Sequence, residues 1–257
     1  MYKNIRYENK DQIALITLLH DTMDVHGCFC EDMMDALQKA EDDEMVRVVI
    51  LKNDGRFFCA GGNLSPDLGS ITSMRNREVV HKAGVVAQTL SSMPKPVIAL
   101  VNGAASGGGA NLALSCDFVL VSEKALFCEV FVNINLIPDT GGLWNLVRLV
   151  GPLRAKQLCM TGCKIPAEKA IKYGMATELV SSDKLLERGL ELAQELAEKP
   201  PKALSFIKEI CWHLPEMTHA SYLEMESSTI GLLCGMEDYM EGINSFLEKR
   251  KPQYQGK

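Results

Sequence analysis

Two glycine-bearing junctions are where residue type and spacing could do chemistry in this chain. "FFCAGGNL" (57–64) follows the apolar run "VVILKND", and "AASGGGANLAL" (104–114) follows "PVIALVNG". Small residues at the end of a strand let the backbone approach a ligand with no Cβ in the way. Neither junction holds a Gly-Lys followed by Ser or Thr, which removes a phosphate-cradling P-loop. Gly107-x-Gly109 is half of a dinucleotide fingerprint, and Leu112 stands where its third glycine belongs. The remaining chemistry is an oxyanion hole, with the N–H groups of Gly62 and Gly108 converging on one oxygen that gains charge, beside the N-terminus of a helix starting near Gly109. A thioester enolate carries such an oxygen. Tight packing alone would explain either junction singly, whereas two of one design favour a shared target.

On the first turn of that helix stands Asn111, where acid–base chemistry would want a carboxylate. Downstream, "LIPDTGG" offers Asp139 just before "GGLWNLVRLV". Asp or Thr at that place also suits a helix N-cap, and cap and catalyst are not exclusive. Apolar neighbours Phe131, Leu136, Ile137 and Trp144 would raise the pKa of a carboxylate facing a pocket. The histidines, at 20, 26, 81, 213 and 219, show no partner pattern. The nine cysteines are odd in number and lack any C-x-x-C pair, so reduced core thiols and no zinc or other metal site are expected.

The elements that must position these groups follow from periodicity. "QIALITL" (12–18) alternates as a strand, "EDMMDALQKAEDDEM" (31–45) has helical spacing, and "VRVVILKND" (46–54) reads as a buried strand. A helix is predicted over about 77–92, then strand "KPVIALVNG", short helix "GGANLALSCD" and strand "DFVLVSE". This order predicts an α/β fold with a mostly parallel sheet and helices packed outside it. After 141 come three short helices, each ending near a glycine, and then amphipathic helices over 182–250. A sheet-based core over 1–190 and a helical C-terminal region over 191–257 are expected.

At 257 residues, with 47% hydrophobic and 23% charged residues, the composition is that of an ordinary globular protein without a membrane-spanning run. A net charge of −6 argues against nucleic acid as a partner. The first twenty residues lack the zones of a signal peptide, which makes the cytoplasm the expected compartment.

In order and separation, "FFCAGGNL", "KPVIALVNGAASGGGANLALSCD", "LIPDTGGLWNLVRLVG" and the tail "FLEKRKPQYQGK" resemble the crotonase superfamily of enoyl-CoA hydratases and isomerases. The resemblance implies a crotonase-like spiral of β-β-α turns and a helical C-terminal region that builds homotrimers, often paired into hexamers. It implies an acyl-CoA substrate, with CoA as part of the substrate and no separate cofactor. The thioester oxygen would lie between Gly62 and Gly108, with Ala60, Asn63, Leu64, Asn111 and Phe131 contacting substrate. The segment 65–76 would be a variable loop over the acyl pocket, and Arg75 and Arg77 at its end read better as a solvated face.

Both hydratase glutamates are replaced, by Asn111 and Phe131. Asp139 matches the acid that shuttles a proton in isomerases of the superfamily, and "IPDTGGLW" looks like the ring-epoxide isomerases of phenylacetyl-CoA breakdown. Glu129, on the same face as Phe131 if the segment is extended, is a lesser candidate for the lost acid. The leading expectation is an isomerase that shifts a double bond, or rearranges a related ring, through Asp139. A hydratase or other lyase with water held by Asp139 and Asn111, and a CoA-ester-binding protein without catalysis, are the alternatives.

Overall fold

The computed structural model describes residues 2–24, 26–64 and 71–257. Within these, the main sheet runs in the order β1 (Ile5–Lys10), β2 (Ile13–Leu18), β3 (Val48–Asn53), β4 (Val97–Val101), β6 (Phe118–Ser122), β9 (Glu178–Val180). Only β1 and β2 pair antiparallel; every later pair in this sheet is parallel. A smaller sheet joins β5 (Ala104–Ser106), β7 (Leu126–Cys128) and β8 (Lys164–Pro166). Single bridges, Met23 to Gly62 and Cys59 to Ala105, extend this second layer toward the glycine junctions. The chain thus winds from a strand of the large sheet into the small layer and back, which is the expected spiral of α/β turns.

The near-continuous apolar strands are explained by burial on both faces. In β3, Val49 and Leu51 point into the core shared with α1 (Cys28–Asp42) and α2 (Ser73–Ser92), whereas Val48 and Ile50 face α6 (Leu185–Ala197) through Leu185, Ala193 and Ala197. The predicted domain boundary near 190 falls inside this helix.

Helix starts differ from the periodic pattern wherever a cap lies upstream of the apolar stripe. α1 begins at Cys28 because the Asp24 carboxylate accepts the N–H groups of Cys28 (2.7 Å) and Phe29 (3.4 Å). α2 begins at Ser73, not 77, because Thr72 Oγ1 accepts the Arg75 N–H at 3.2 Å. The first two of the three helices expected after 141 form one element, α4 (Gly142–Thr161), broken at Gly151 (φ 75°, ψ 163°) ahead of Pro152. Then come α5 (Ala167–Tyr173), α7 (Pro201–His213), α8 (His219–Cys234) and α9 (Glu237–Glu248).

Helix α7 is fixed to the core by one buried cation. Lys208 Nζ donates to Leu90 O (2.7 Å), Lys95 O (3.0 Å) and Asp117 Oδ2 (2.6 Å), and Asp117 Oδ2 also accepts the Val97 N–H. The expectation of core thiols needs correcting: Cys28, Cys163, Cys211 and Cys234 are exposed, although all nine cysteines are free. No helix among the described residues is long and apolar enough to cross a membrane.

Candidate active site

The two glycine junctions meet. Gly61 O accepts the Met23 N–H (2.8 Å) and Asn63 N–H donates to Met23 O (2.8 Å). In a parallel bridge of this kind the residue between them turns its own N–H to the other side. Gly62 is that residue, and neither its N–H nor that of Gly108 has an acceptor among the described residues. The segments pass closely: a methyl built on Gly61 would lie 2.8 Å from Ser106 O and 3.6 Å from Gly108 N. A methyl on Gly109 would lie 2.2 Å from Cys59 O, so only glycine permits this approach.

Helix α3 (Gly108–Leu114) starts at this point, with Gly107 (φ 53°) as the turn that aims its first N–H groups. The helix is short, so its end contributes mainly unpaired N–H donors. Around them is a cavity of about 380 Å³. Ala60, Gly62, Leu64, Gly108, Phe131 and Asp139, all singled out from sequence, line it. Apolar side chains, including Phe29, Val79, Val80, Ile134 and Leu136, make up most of the remaining wall.

Asn63 and Asn111 do not line the cavity. Asn63 pairs through its backbone with Met23, and Asn111 is wholly buried behind the wall, its Nδ2 donating to the Asp139 carbonyl at 2.9 Å. A methyl on Gly142 would fall 2.1 Å from that Nδ2, so the glycine seats the amide. Glu129 is also not on the cavity face shared with Phe131. The chain turns into a 3-10 helix at Val130–Ile134, which breaks strand alternation and leaves Glu129 buried while Phe131 remains in the wall.

Among the described residues two carboxylates face the cavity, Asp24 and Asp139, and their surroundings act in opposite directions. Burial alone would raise the Asp24 pKa, but N–H groups of His26, Cys28 and Phe29 outweigh it and hold the group below its ordinary value. Asp139 is raised by burial, and the one opposing contact is a hydrogen bond from Thr140 Oγ1 at 2.8 Å. Asp139 is therefore the one suited to taking up a proton. Sequence reasoning missed Asp24 because an acid four residues before a helix has no periodic signature.

The loop that presents Asp139 is strained. Thr140, a buried β-branched residue, has φ 51°, and Gly141 follows at φ 69°. Gly141, with no side-chain cap, occupies the helix N-cap position, so the Asp139 carboxylate does not cap the helix and is left to the cavity. A methyl on Gly108 would lie 3.6 Å from Asp139 Oδ1, which puts the carboxylate beside the free N–H. An oxygen held by two N–H donors and a proton acceptor a few ångströms away can form and protonate an enolate.

The arrangement has many relatives. The family described as enoyl-CoA hydratase/isomerase matches residues 8–257. The trans-2-decenoyl acyl-carrier-protein isomerase of Streptococcus mutans is 32% identical over 100% of this chain and 99% of its own. The 1,2-epoxyphenylacetyl-CoA isomerase of Escherichia coli is 35% identical over 88% of this chain and 87% of its own. The crystal structure of an enoyl-CoA hydratase from Bacillus anthracis superposes with a TM-score of 0.94 at 31% identity, covering 99% of this chain and all of that one.

Proposed function

Because the chain belongs to the enoyl-CoA hydratase/isomerase family, within the crotonase superfamily, and is an acyl-CoA enzyme of that group, we propose that it shifts a carbon–carbon double bond in an acyl-CoA thioester, with Asp139 carrying the proton. The observation that carries this reading is the pairing of one raised carboxylate, Asp139, with the free Gly108 N–H in an otherwise apolar cavity.

In a 3-enoyl thioester the Asp139 carboxylate removes a proton from the carbon next to the carbonyl. The electron pair moves onto the thioester oxygen, held by the N–H groups of Gly62 and Gly108. The same carboxyl then returns the proton two carbons further along, leaving the double bond conjugated with the carbonyl. One acid suffices, and atoms and charge balance without a cofactor beyond the thioester's own CoA.

Hydration needs a second group to activate water. Asn111 cannot take up a proton, and Phe131 puts a ring in the wall, which supports isomerisation over water addition. The relatives named above include both isomerases and a hydratase, so the reaction is decided by product. Incubation with 2-enoyl and 3-enoyl thioesters is expected to interconvert them; a 3-hydroxyacyl product without a double-bond shift, or tight binding without turnover, overturns the reading.

Assembly into trimers, alone or in pairs, belongs to the same proposal. It is supported by apolar residues left open on the C-terminal helices, among them Leu232 (65% exposed), Phe246 (82%) and Leu247 (71%). The cytoplasm is proposed as the compartment, in keeping with nine cysteines left unpaired.

A further inference from the structure

Behind the Asn111 amide lies a carboxyl the proposed reaction does not use. Glu129 is 1% exposed, and neither of its oxygens has a hydrogen-bond partner among the described residues. Asn111 Oδ1 is buried and unpaired as well, so this compartment holds three acceptor atoms against one remaining donor, the second N–H of the Asn111 amide. The polar group facing Glu129 is the Asn111 amide, whose Nδ2 holds the Asp139 carbonyl. The titratable groups around it are Asp139 on the loop before α4, Cys159 on α4 and Cys128 at the end of the preceding strand β7. Burial keeps both thiols neutral, and no cation among the described residues faces Glu129.

An ionised carboxylate here would have only the Asn111 amide as donor and a second carboxylate nearby, whereas a single proton relieves the excess of acceptors. Of the two acids, Asp139 has the Thr140 hydroxyl as donor at 2.8 Å and opens on the cavity; Glu129 has only the Asn111 amide facing it and no opening. We propose that Glu129 is a positioning residue that holds a proton in the resting protein, bracing the Asn111–Asp139 contact from behind and leaving Asp139 as the negative charge beside the Gly108 N–H.

Burial outweighs the Asn111 amide and, with the nearby Asp139, pushes Glu129 up to about 7, so its proton is retained below neutrality and lost above it. Because the proposal rests on Asp139 as the proton carrier, the experiment reads the protons of the resting protein and not turnover, and so fails separately from that reading. Infrared difference spectra across pH should show a buried protonated carboxyl band at about pH 6 that disappears through neutrality. The band should be absent in Glu129→Gln. It should remain in Asp139→Asn, with its midpoint moved to lower pH by loss of the neighbouring charge. A band that survives Glu129→Gln and disappears in Asp139→Asn would place the proton on Asp139 and overturn the proposal, as would no band in the wild type. Should Glu129→Gln not fold, the midpoint in Asp139→Asn decides alone: a fall supports the coupling and an unchanged midpoint refutes it.

Discussion

Asp24 and Asp139 share one cavity, yet only one of them is left free to act, and the difference lies in their donors. Three backbone N–H groups hold Asp24, while Asp139 has a single hydroxyl and a strained Thr140 beside it. The oxyanion donors are as specific. A methyl at Gly108 would run into Met23 Cε and lie 3.2 Å from Thr140 Oγ1, crowding the cavity wall beside the free N–H. Gly108→Ala is therefore expected to lower kcat by about 10²- to 10³-fold, as for loss of an oxyanion donor, with the fold retained by circular dichroism. Glu129 bears on stability too. Its pKa of about 7 in the folded protein lies above the unfolded value of about 4.3. Its favourable contribution is thus complete below the unfolded value and lost as pH rises through neutrality, by up to about 4 kcal/mol. Glu129→Gln should flatten that loss in urea unfolding at alkaline pH and change little at acid pH. Asp139 and the glycine pairs were legible in the sequence because the chemistry asks for those residue types. Asp24, Thr140 and the burial of Glu129 were not, since each depends on a turn with no periodic mark.

Elements hold these residues through a few long-range ties. Lys208 carries α7 onto the ends of α2 and β4 with three acceptors, and it is 8% exposed. Lys208→Met removes the cation and leaves the Leu90 and Lys95 carbonyls without their donor, while Asp117, partly exposed, keeps the Val97 N–H; this should cost about 1–3 kcal/mol in chemical denaturation while leaving the cavity lining unchanged. The long strands and amphipathic helices could be read from periodicity, since each repeats its pattern for several residues. The smaller sheet could not: β5, β7 and β8 are three residues each, too short for alternation to show. That sheet nevertheless sets the site, because β5 leads directly into Gly107 and the start of α3.

Across the whole molecule, the order of the four motifs carried the resemblance to the family and with it the spiral; the two glycine junctions lie where the chain passes from the large sheet to the small one. The C-terminal helices are less self-sufficient. A groove of about 650 Å³ runs between α8, α9 and the tail, lined by Ile230, Leu233, Ile243, Phe246 and Leu247. Helical periodicity marked these helices as amphipathic but not which apolar side would stay uncovered in one chain. For the proposed trimer, Phe246→Asp should shift the molar mass seen by light scattering toward a monomer; an unchanged trimeric mass, or a monomeric wild type, would remove this surface as an assembly contact.

Asp139 as the sole proton carrier is the central claim, and Asp139→Asn tests it most directly, since the amide keeps the shape and cannot act as a base. The rate of 3-enoyl to 2-enoyl thioester conversion is expected to fall by about 10²- to 10⁴-fold, with binding of the 2-enoyl product changed only a few-fold. Conversion by Asp139→Asn at the wild-type rate would contradict the account.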